Sequence, residues 1–260
     1  MDLQGKTALI TGAARRIGRE IALTLASRGV STVIHYHRSR REALQLQKEI
    51  ESFGVDAPLV PADLSFRPKK SVVQTIRRFI REVYRLVPKL HILVNNAAIF
   101  YPTPFGKITE KHWDDFLTVN LKSPFFLAQE IGMRMARQFQ NESSKRGREC
   151  GKIINLVDWT GLRPHPKYLP YAVSKAGLIA ATVGMARALA PYVQVNSIAP
   201  GPILPAKGMM RRQEKAMTER TLLKRFGHPN DIAETVRFLC EDTDFITGAM
   251  IPVDGGSSIA

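Results

Sequence analysis

The sequence predicts an α/β fold in which one parallel sheet of about seven strands is wound with helices on both faces. Three observations carry this. Short β-branched runs alternate with longer segments of helical spacing, the strand runs are apolar almost throughout, and a glycine turn joins the first strand to the first helix. Strands alternating with helices make βαβ units. A strand that is apolar at nearly every position is buried on both faces, as in a parallel sheet between two helical layers. The 260 residues are long enough for one large core. With no internal repeat and no long linker, 1–260 reads as one domain.

The strand runs are TALIT (7–11), STVIHY (31–36), APLVPA (57–62), HILVNN (91–96), KIINLV (152–157), VQVNSI (193–198) and AMIPV (249–253). Between them, Ile17, Ile21 and Leu25 recur at i, i+4 and i+8. Ile76, Phe79, Val83 and Leu86 mark a second amphipathic helix, and Ala172 to Leu189 a third. The polar segment 141–150 reads as a surface loop.

Composition narrows the function classes. The hydrophobic fraction of 44% is ordinary, no apolar run reaches membrane-span length, and the N-terminus enters a strand pattern without a leader-like segment. Cys150 and Cys240 lack metal-ligand spacing, so no metal site is expected and a reducing, cytoplasmic setting fits. Lys and Arg number 38 against 23 Asp and Glu, a formal +15. That balance suits anionic ligands. The basic residues are nevertheless scattered along helical and loop patterns with no nucleic-acid motif, so neither nucleic acid nor membrane is expected as a partner.

The turn TGAARRIG places Gly12 after the first strand and Ile17 and Gly18 at the start of the first helix. Such a turn delivers free N–H groups and the positive end of a helix dipole to an anion, the phosphate site of a Rossmann-type fold. Arg16 stands where a second close-approach glycine is usual and adds a guanidinium beside the phosphates. The second strand ends in His35, Tyr36, His37, Arg38 and Ser39, with no acid before Glu42. An NAD site usually carries Asp or Glu there for the ribose 2′-hydroxyl. Donors and a cation favour a 2′-phosphate instead, hence NADPH (NADP+ when oxidised). Asp63 and Leu64 follow the third strand, the carboxylate able to accept from an adenine amino group. Asn95, Asn96 and Ala97 follow the fourth, with both asparagines expected to face the ligand crevice.

Tyr171 and Lys175 are spaced i, i+4, so on a helix they share one face. An ammonium near a phenol stabilises the phenolate and tunes it for proton transfer, so Lys175 is expected to lower the Tyr171 pKa. Asp158 stands at the mouth of the fifth strand. Its carboxylate suits a nitrogen awaiting a proton better than a ketone oxygen, although a strand-end aspartate can also simply cap the next turn.

TGAARRIG, NNAA, Asn120 in TVNL, YAVSK, APG (199–201) and ITGAMIPVDGG (246–256), in that order, resemble the short-chain dehydrogenase/reductase family over essentially the whole chain. The resemblance implies that Lys175 holds the nicotinamide ribose, that Asn120 supports a proton relay and that Pro200 and Gly201 line the cofactor. It also implies a homotetramer. Asp158 replaces the family's usual serine, and with HYHRS (35–39), FYPTP (100–104) and NLVDW (155–159) it resembles the pteridine reductase branch. That branch implies a pterin or folate substrate held by Phe100, Tyr168 and Arg16, hydride transfer to a C=N bond, Tyr171 as proton donor assisted by Asp158, and a lid over 202–220. The runner-up is an NADPH-dependent carbonyl or imine reductase. A third reading is a non-enzymatic dinucleotide-binding regulator. Ala98, where a serine is frequent in that branch, and the bulky Trp159 are departures.

Overall fold

A computed structural model describes residues 1–65, 71–142, 149–205 and 210–260, without the side chains of Glu142 and Gln213. The seven strands are β1 (Thr7–Ile10), β2 (Ser31–Tyr36), β3 (Leu59–Pro61), β4 (Ile92–Asn95), β5 (Gly151–Leu156), β6 (Val193–Pro200) and β7 (Met250–Val253), each within two residues of its predicted ends. All pair in parallel, in the order β3-β2-β1-β4-β5-β6-β7. The order reverses between β1 and β4, which opens a crevice beyond their carboxyl ends.

The helices are α1 (Arg16–Ala26), α2 (Arg40–Glu51), α3 (Val72–Leu86), α4 (Glu110–Leu117), α5 (Ser123–Glu142), α6 (Leu169–Leu189), α7 (Arg211–Glu219) and α8 (Pro229–Glu241). Two apolar layers form because successive strand side chains point to opposite faces. Ala8, Ile10, Ile92, Val94 and Ile154 pack with Ile21, Leu25, Leu46, Ile232 and Val236 of α1, α2 and α8. Leu9, Leu93 and Ile153 pack with Ile76, Phe79, Leu127, Ile131 and Met185 of α3, α5 and α6. Leu86 departs from its predicted face: it is exposed in the last turn of α3, and Val87, just past the helix end, is buried instead.

Helix α6 is, among the described residues, the one helix long and apolar enough by length and composition to cross a membrane. Its apolarity has a structural use. Tyr171, Lys175, Leu178, Thr182, Met185 and Leu189 are buried along one side. Of the 141–150 segment, Asn141 still belongs to α5, and 143–148 lie outside the described residues. Within 202–220, α7 is described and 206–209 are not.

Candidate active site

The crevice is built first by a glycine turn. Gly12 has φ 65°, and a Cβ there would meet Ala97 Cα at 3.1 Å and Asn96 Nδ2 at 3.2 Å. A Cβ on Gly18 would lie 2.5 Å from both Asn96 Nδ2 and the Gly12 carbonyl. The turn therefore packs directly on the β4 exit, and only glycine lets it. Asn96 Nδ2 donates to the carbonyls of Thr11 (2.8 Å) and Gly12 (3.1 Å). Thr11 Oγ1 accepts from the backbone N–H of Asn96 (2.9 Å) and Ala97 (3.0 Å). Thr11 escaped the sequence reading, because a hydroxyl before a glycine has no pattern of its own.

Two helix N-termini open on this crevice without side-chain caps. α1 starts after Arg15 and α2 after Ser39, and neither residue bonds the first turn with its side chain. Uncapped amides at two helix starts suit two phosphate groups. Arg16 and Arg38 are exposed beside them, and Ile17 lies in the first turn of α1. Arg16 has the left-handed φ of 56°, fitting the position usually left to glycine. Its guanidinium donates to the Leu204 carbonyl at 3.4 Å, bridging the turn to the segment after β6. These residues fit a dinucleotide with an additional phosphate on its adenosine ribose.

Three expectations at this end need correction. The His35 and Tyr36 side chains are buried and do not present donors to a phosphate. The His35 ring is taken up by Gly12 N–H and the Ala62 carbonyl, and Tyr36 packs in the core beside α2. Asn95 does not face the crevice. It donates to Asn155 Oδ1 (2.9 Å) and the Pro124 carbonyl (3.3 Å), and Asn155 donates to Thr182 (2.9 Å), a polar chain inside the core. Adjacent residues leave a strand on opposite sides, so only Asn96 meets the turn. Asp63 Oδ2 lies 3.5 Å from His37 Nε2, and its Oδ1 accepts from Ser65 N–H at 2.9 Å. The Leu64 carbonyl accepts from Ser123 Oγ at 2.9 Å. At β6, Gly201 N–H donates to the Val253 carbonyl at 3.0 Å, and a Cβ there would sit 2.5 Å from Asp254 Cα. Pro200, the last residue of β6, thus enters a turn that admits only glycine next.

The chemical end gathers around α6. Tyr171 Oη donates to Asp158 Oδ2 at 2.8 Å, and Lys175 Nζ donates to the Leu156 carbonyl at 2.7 Å. Lys175 Nζ lies 5.7 Å from the Tyr171 ring centroid. Burial first, then the charge and hydrogen bond of Asp158, push the Tyr171 phenol well above 10. Burial brings Lys175 down to about 8, the Asp158 charge opposing. The expected lowering of the Tyr171 pKa by Lys175 is therefore reversed here: the carboxylate, not the ammonium, bonds the phenol. The phenol is thus held protonated, with its proton directed at Asp158. Asp158 is also the N-cap of a short 3-10 turn over Trp159–Gly161, accepting from Thr160 N–H at 2.8 Å. Capping and contact with the tyrosine are two uses of one carboxylate.

Asn120 sits in a π-helical turn, Thr118–Lys122, between α4 and α5. Such a turn bulges the helix and is frequent at functional sites. Asn120 Oδ1 accepts from Ile99 N–H (2.9 Å) and its Nδ2 donates to the Ile99 carbonyl (3.0 Å), fixing the residue before Phe100. Phe100 stacks on Tyr168 with centroids 4.8 Å apart and planes at 14°, and meets Tyr171 edge-on at 4.8 Å. A backbone bridge between Thr103 and Tyr168 ties the two loops together. Phe100, Tyr168, Tyr171 and Asp158 thus form one contiguous wall, while Arg16 reaches toward the segment at 202–205. Among the described residues no group of His, Cys, Asp and Glu could hold a metal ion.

Comparison with known proteins gives a consistent assignment. A family model described as enoyl-(acyl carrier protein) reductase matches residues 12–258. The chain is 35% identical to a 3-oxoacyl-(acyl carrier protein) reductase of Staphylococcus epidermidis over 255 residues, covering 96% of this chain and 98% of the relative. It is 36% identical to the enzyme of that name from Aquifex aeolicus over 261 residues, 98% of both chains. An uncharacterised oxidoreductase of Thermotoga maritima is 33% identical over 99% of both. The relatives named here are 3-oxoacyl reductases and an uncharacterised oxidoreductase, and none of them is a pteridine reductase.

Proposed function

The chain belongs to the short-chain dehydrogenase/reductase family, and from that premise we propose that it is an NADPH-dependent reductase of a C=O or C=N bond. The bond between Tyr171 Oη and Asp158 Oδ2 carries the reading, because it places a protonated phenol at a reaction site with a carboxylate behind it. NADPH supplies the hydride when bound. The chain does the rest. The turn at Gly12 and the N-termini of α1 and α2 bind phosphates, with Arg38 and Ser39 at the 2′-phosphate. His37 and Asp63 border the adenosine end. Lys175 orients the nicotinamide ribose. Tyr171 delivers a proton to the heteroatom as the adjacent carbon is reduced. Asp158 assists by holding the Tyr171 hydroxyl, and solvent returns the proton along that bond. Asn120 holds the loop carrying Phe100 and supports the relay. The whole of 1–260 acts as one unit, with 202–220 as its lid.

The relatives' names favour a carbonyl substrate. The aromatic wall and the carboxylate favour a second, finer reading, a pteridine reductase. A flat nitrogen heterocycle stacks on Phe100 with about 0.5–1.5 kcal/mol beyond area burial. A ring nitrogen takes its proton from Tyr171. We read the assembly as a homotetramer, as the family resemblance implies, and the exposed Val173, Ala180 and Val183 of α6 offer an apolar face for a subunit contact. The two buried, free thiols of Cys150 and Cys240 suit a reducing, cytoplasmic setting. NADPH oxidation followed with dihydrobiopterin, dihydrofolate, a 3-oxoacyl thioester and simple ketones in parallel tests both readings. Turnover of pterins alone selects the pteridine branch, and turnover of ketones or thioesters alone selects the carbonyl reductase. Turnover of none, with NADPH bound, would favour the dinucleotide-binding regulator.

A further inference from the structure

We propose that His35 is a positioning residue of the cofactor site: its neutral imidazole, held as the Nε2–H tautomer, fixes the phosphate-binding turn to the end of β3. Gly12 N–H donates to His35 Nδ1 at 3.0 Å, so that nitrogen must carry a lone pair. Nε2 lies 3.1 Å from the Ala62 carbonyl, which can only accept, so Nε2 carries the proton. The next amide of the turn, Ala13 N–H, donates to the His35 backbone carbonyl at 3.0 Å. One residue thus takes up two successive N–H groups of the turn and, through Ala62, the backbone leading to Asp63. The ring is 3% exposed and meets Phe79 of α3 edge-on at 5.1 Å.

The arrangement divides the labour of the HYHRS segment. His37 and Arg38 are exposed and Ser39 is partly exposed. His35 faces inward and sets where the turn lies. It also shows which amides a phosphate can use, since those of Gly12 and Ala13 are spent. The groups whose charge acts on the ring are His37, just beyond it on the same chain, and Asp63, past the end of β3. The turn offers the ring N–H groups, and α3 packs Phe79 against it. Burial dominates and brings the imidazole down to about 4, so it stays neutral where an exposed histidine would titrate. Protonation would place an N–H against the Gly12 N–H and break the link.

The inference rests on the reading of this turn as a dinucleotide site, and two kinds of measurement keep their failures apart. NADPH affinity is measured by nicotinamide fluorescence for the wild type, His35→Leu, His35→Gln and His35→Asn. The ring is observed by 15N NMR from pH 8 to pH 5. Leu removes both bonds, Gln can reach Ala62 only, and Asn puts an acceptor at the Nδ1 position. A turn that relaxes to pair the freed Gly12 N–H must be returned to its bound geometry by the cofactor, which corresponds to a loss of about ten- to a hundredfold in affinity. We expect that loss in Leu and Gln, recovery in Asn to within about threefold, and an unprotonated Nδ1 throughout the pH range. Leu and Gln binding NADPH as tightly as the wild type, Asn failing to recover binding, or a ring that titrates near its ordinary value would each overturn the inference. A wild type that binds no nicotinamide dinucleotide would overturn the reductase reading, whatever the ring's tautomer.

Discussion

Asp158 touches Tyr171 and the chain that follows Asp158 with different oxygens: Oδ2 accepts from Tyr171 Oη and Oδ1 from Thr160 N–H, each at 2.8 Å. A serine, which the family usually has here, offers one oxygen that both donates and accepts. A carboxylate offers two acceptors, and its proton, when present, lies one bond from the tyrosine. The chemistry and the local fold are therefore separable by substitution.

Asp158→Asn and Asp158→Ser keep an acceptor for Thr160 N–H, whereas Asp158→Ala does not. Loss of an N-cap costs about 0.5–2 kcal/mol. Thermal unfolding of the Ala variant should therefore begin earlier than that of Asn or Ser. In steady-state assays, all three should lose reduction of a C=N substrate by about 10²-fold or more, the range of a missing general acid. Ser alone should gain in ketone reduction, because its hydroxyl can donate to a carbonyl oxygen.

Tyr171→Phe removes the hydroxyl proposed as proton donor and leaves the ring packed between Phe100 and Phe116. Its kcat should fall by about 10²–10⁴-fold while NADPH affinity, read by calorimetry, stays within about twofold of the wild type. A retained kcat would mean that the proton comes from elsewhere.

Cofactor preference should turn on Arg38. Beside the uncapped start of α2, its cation favours a 2′-phosphate, and a carboxylate repels one while accepting from a 2′-hydroxyl. Arg38→Asp should lower kcat/KM for NADPH by about 10²-fold, a loss of about 3 kcal/mol, and raise it for NADH. Parallel assays with the two cofactors read this directly.

Lys175 gives a pH signature. Its folded pKa is lowered to about 8 by burial, below the 10.5 of a free lysine. Between those values the unfolded chain binds more protons than the folded one, so this group's contribution to stability rises with pH across that window. Below pH 8 the full cost of the buried charge is present. Lys175→Met should lose activity, and its stability relative to the wild type should decline from pH 8 to pH 10.5. Chemical denaturation of both proteins at several pH values measures that difference, and a constant difference would show that Lys175 is not depressed.

The sequence by itself determined the number of strands, their places along the chain and their parallel pairing, because nearly continuous apolar runs separated by helical spacing point to a buried parallel sheet. It also determined which residues lie near the crevice, since ligands gather at the carboxyl ends of such strands and the motifs fall there. Tertiary structure decided the direction of each side chain. Asn95 and Asn96 are neighbours in sequence, yet Asn95 bonds into the core while Asn96 holds the glycine turn. His35 and Arg38 belong to one polar segment, yet His35 is buried beneath the turn and Arg38 is exposed beside it. The sign of the Tyr171 shift was likewise illegible, because i, i+4 spacing brings Lys175 to the same face but not to the phenol oxygen. That oxygen's partner, Asp158, is thirteen residues upstream. It is delivered by the crossing of β5 and α6, which no local pattern records.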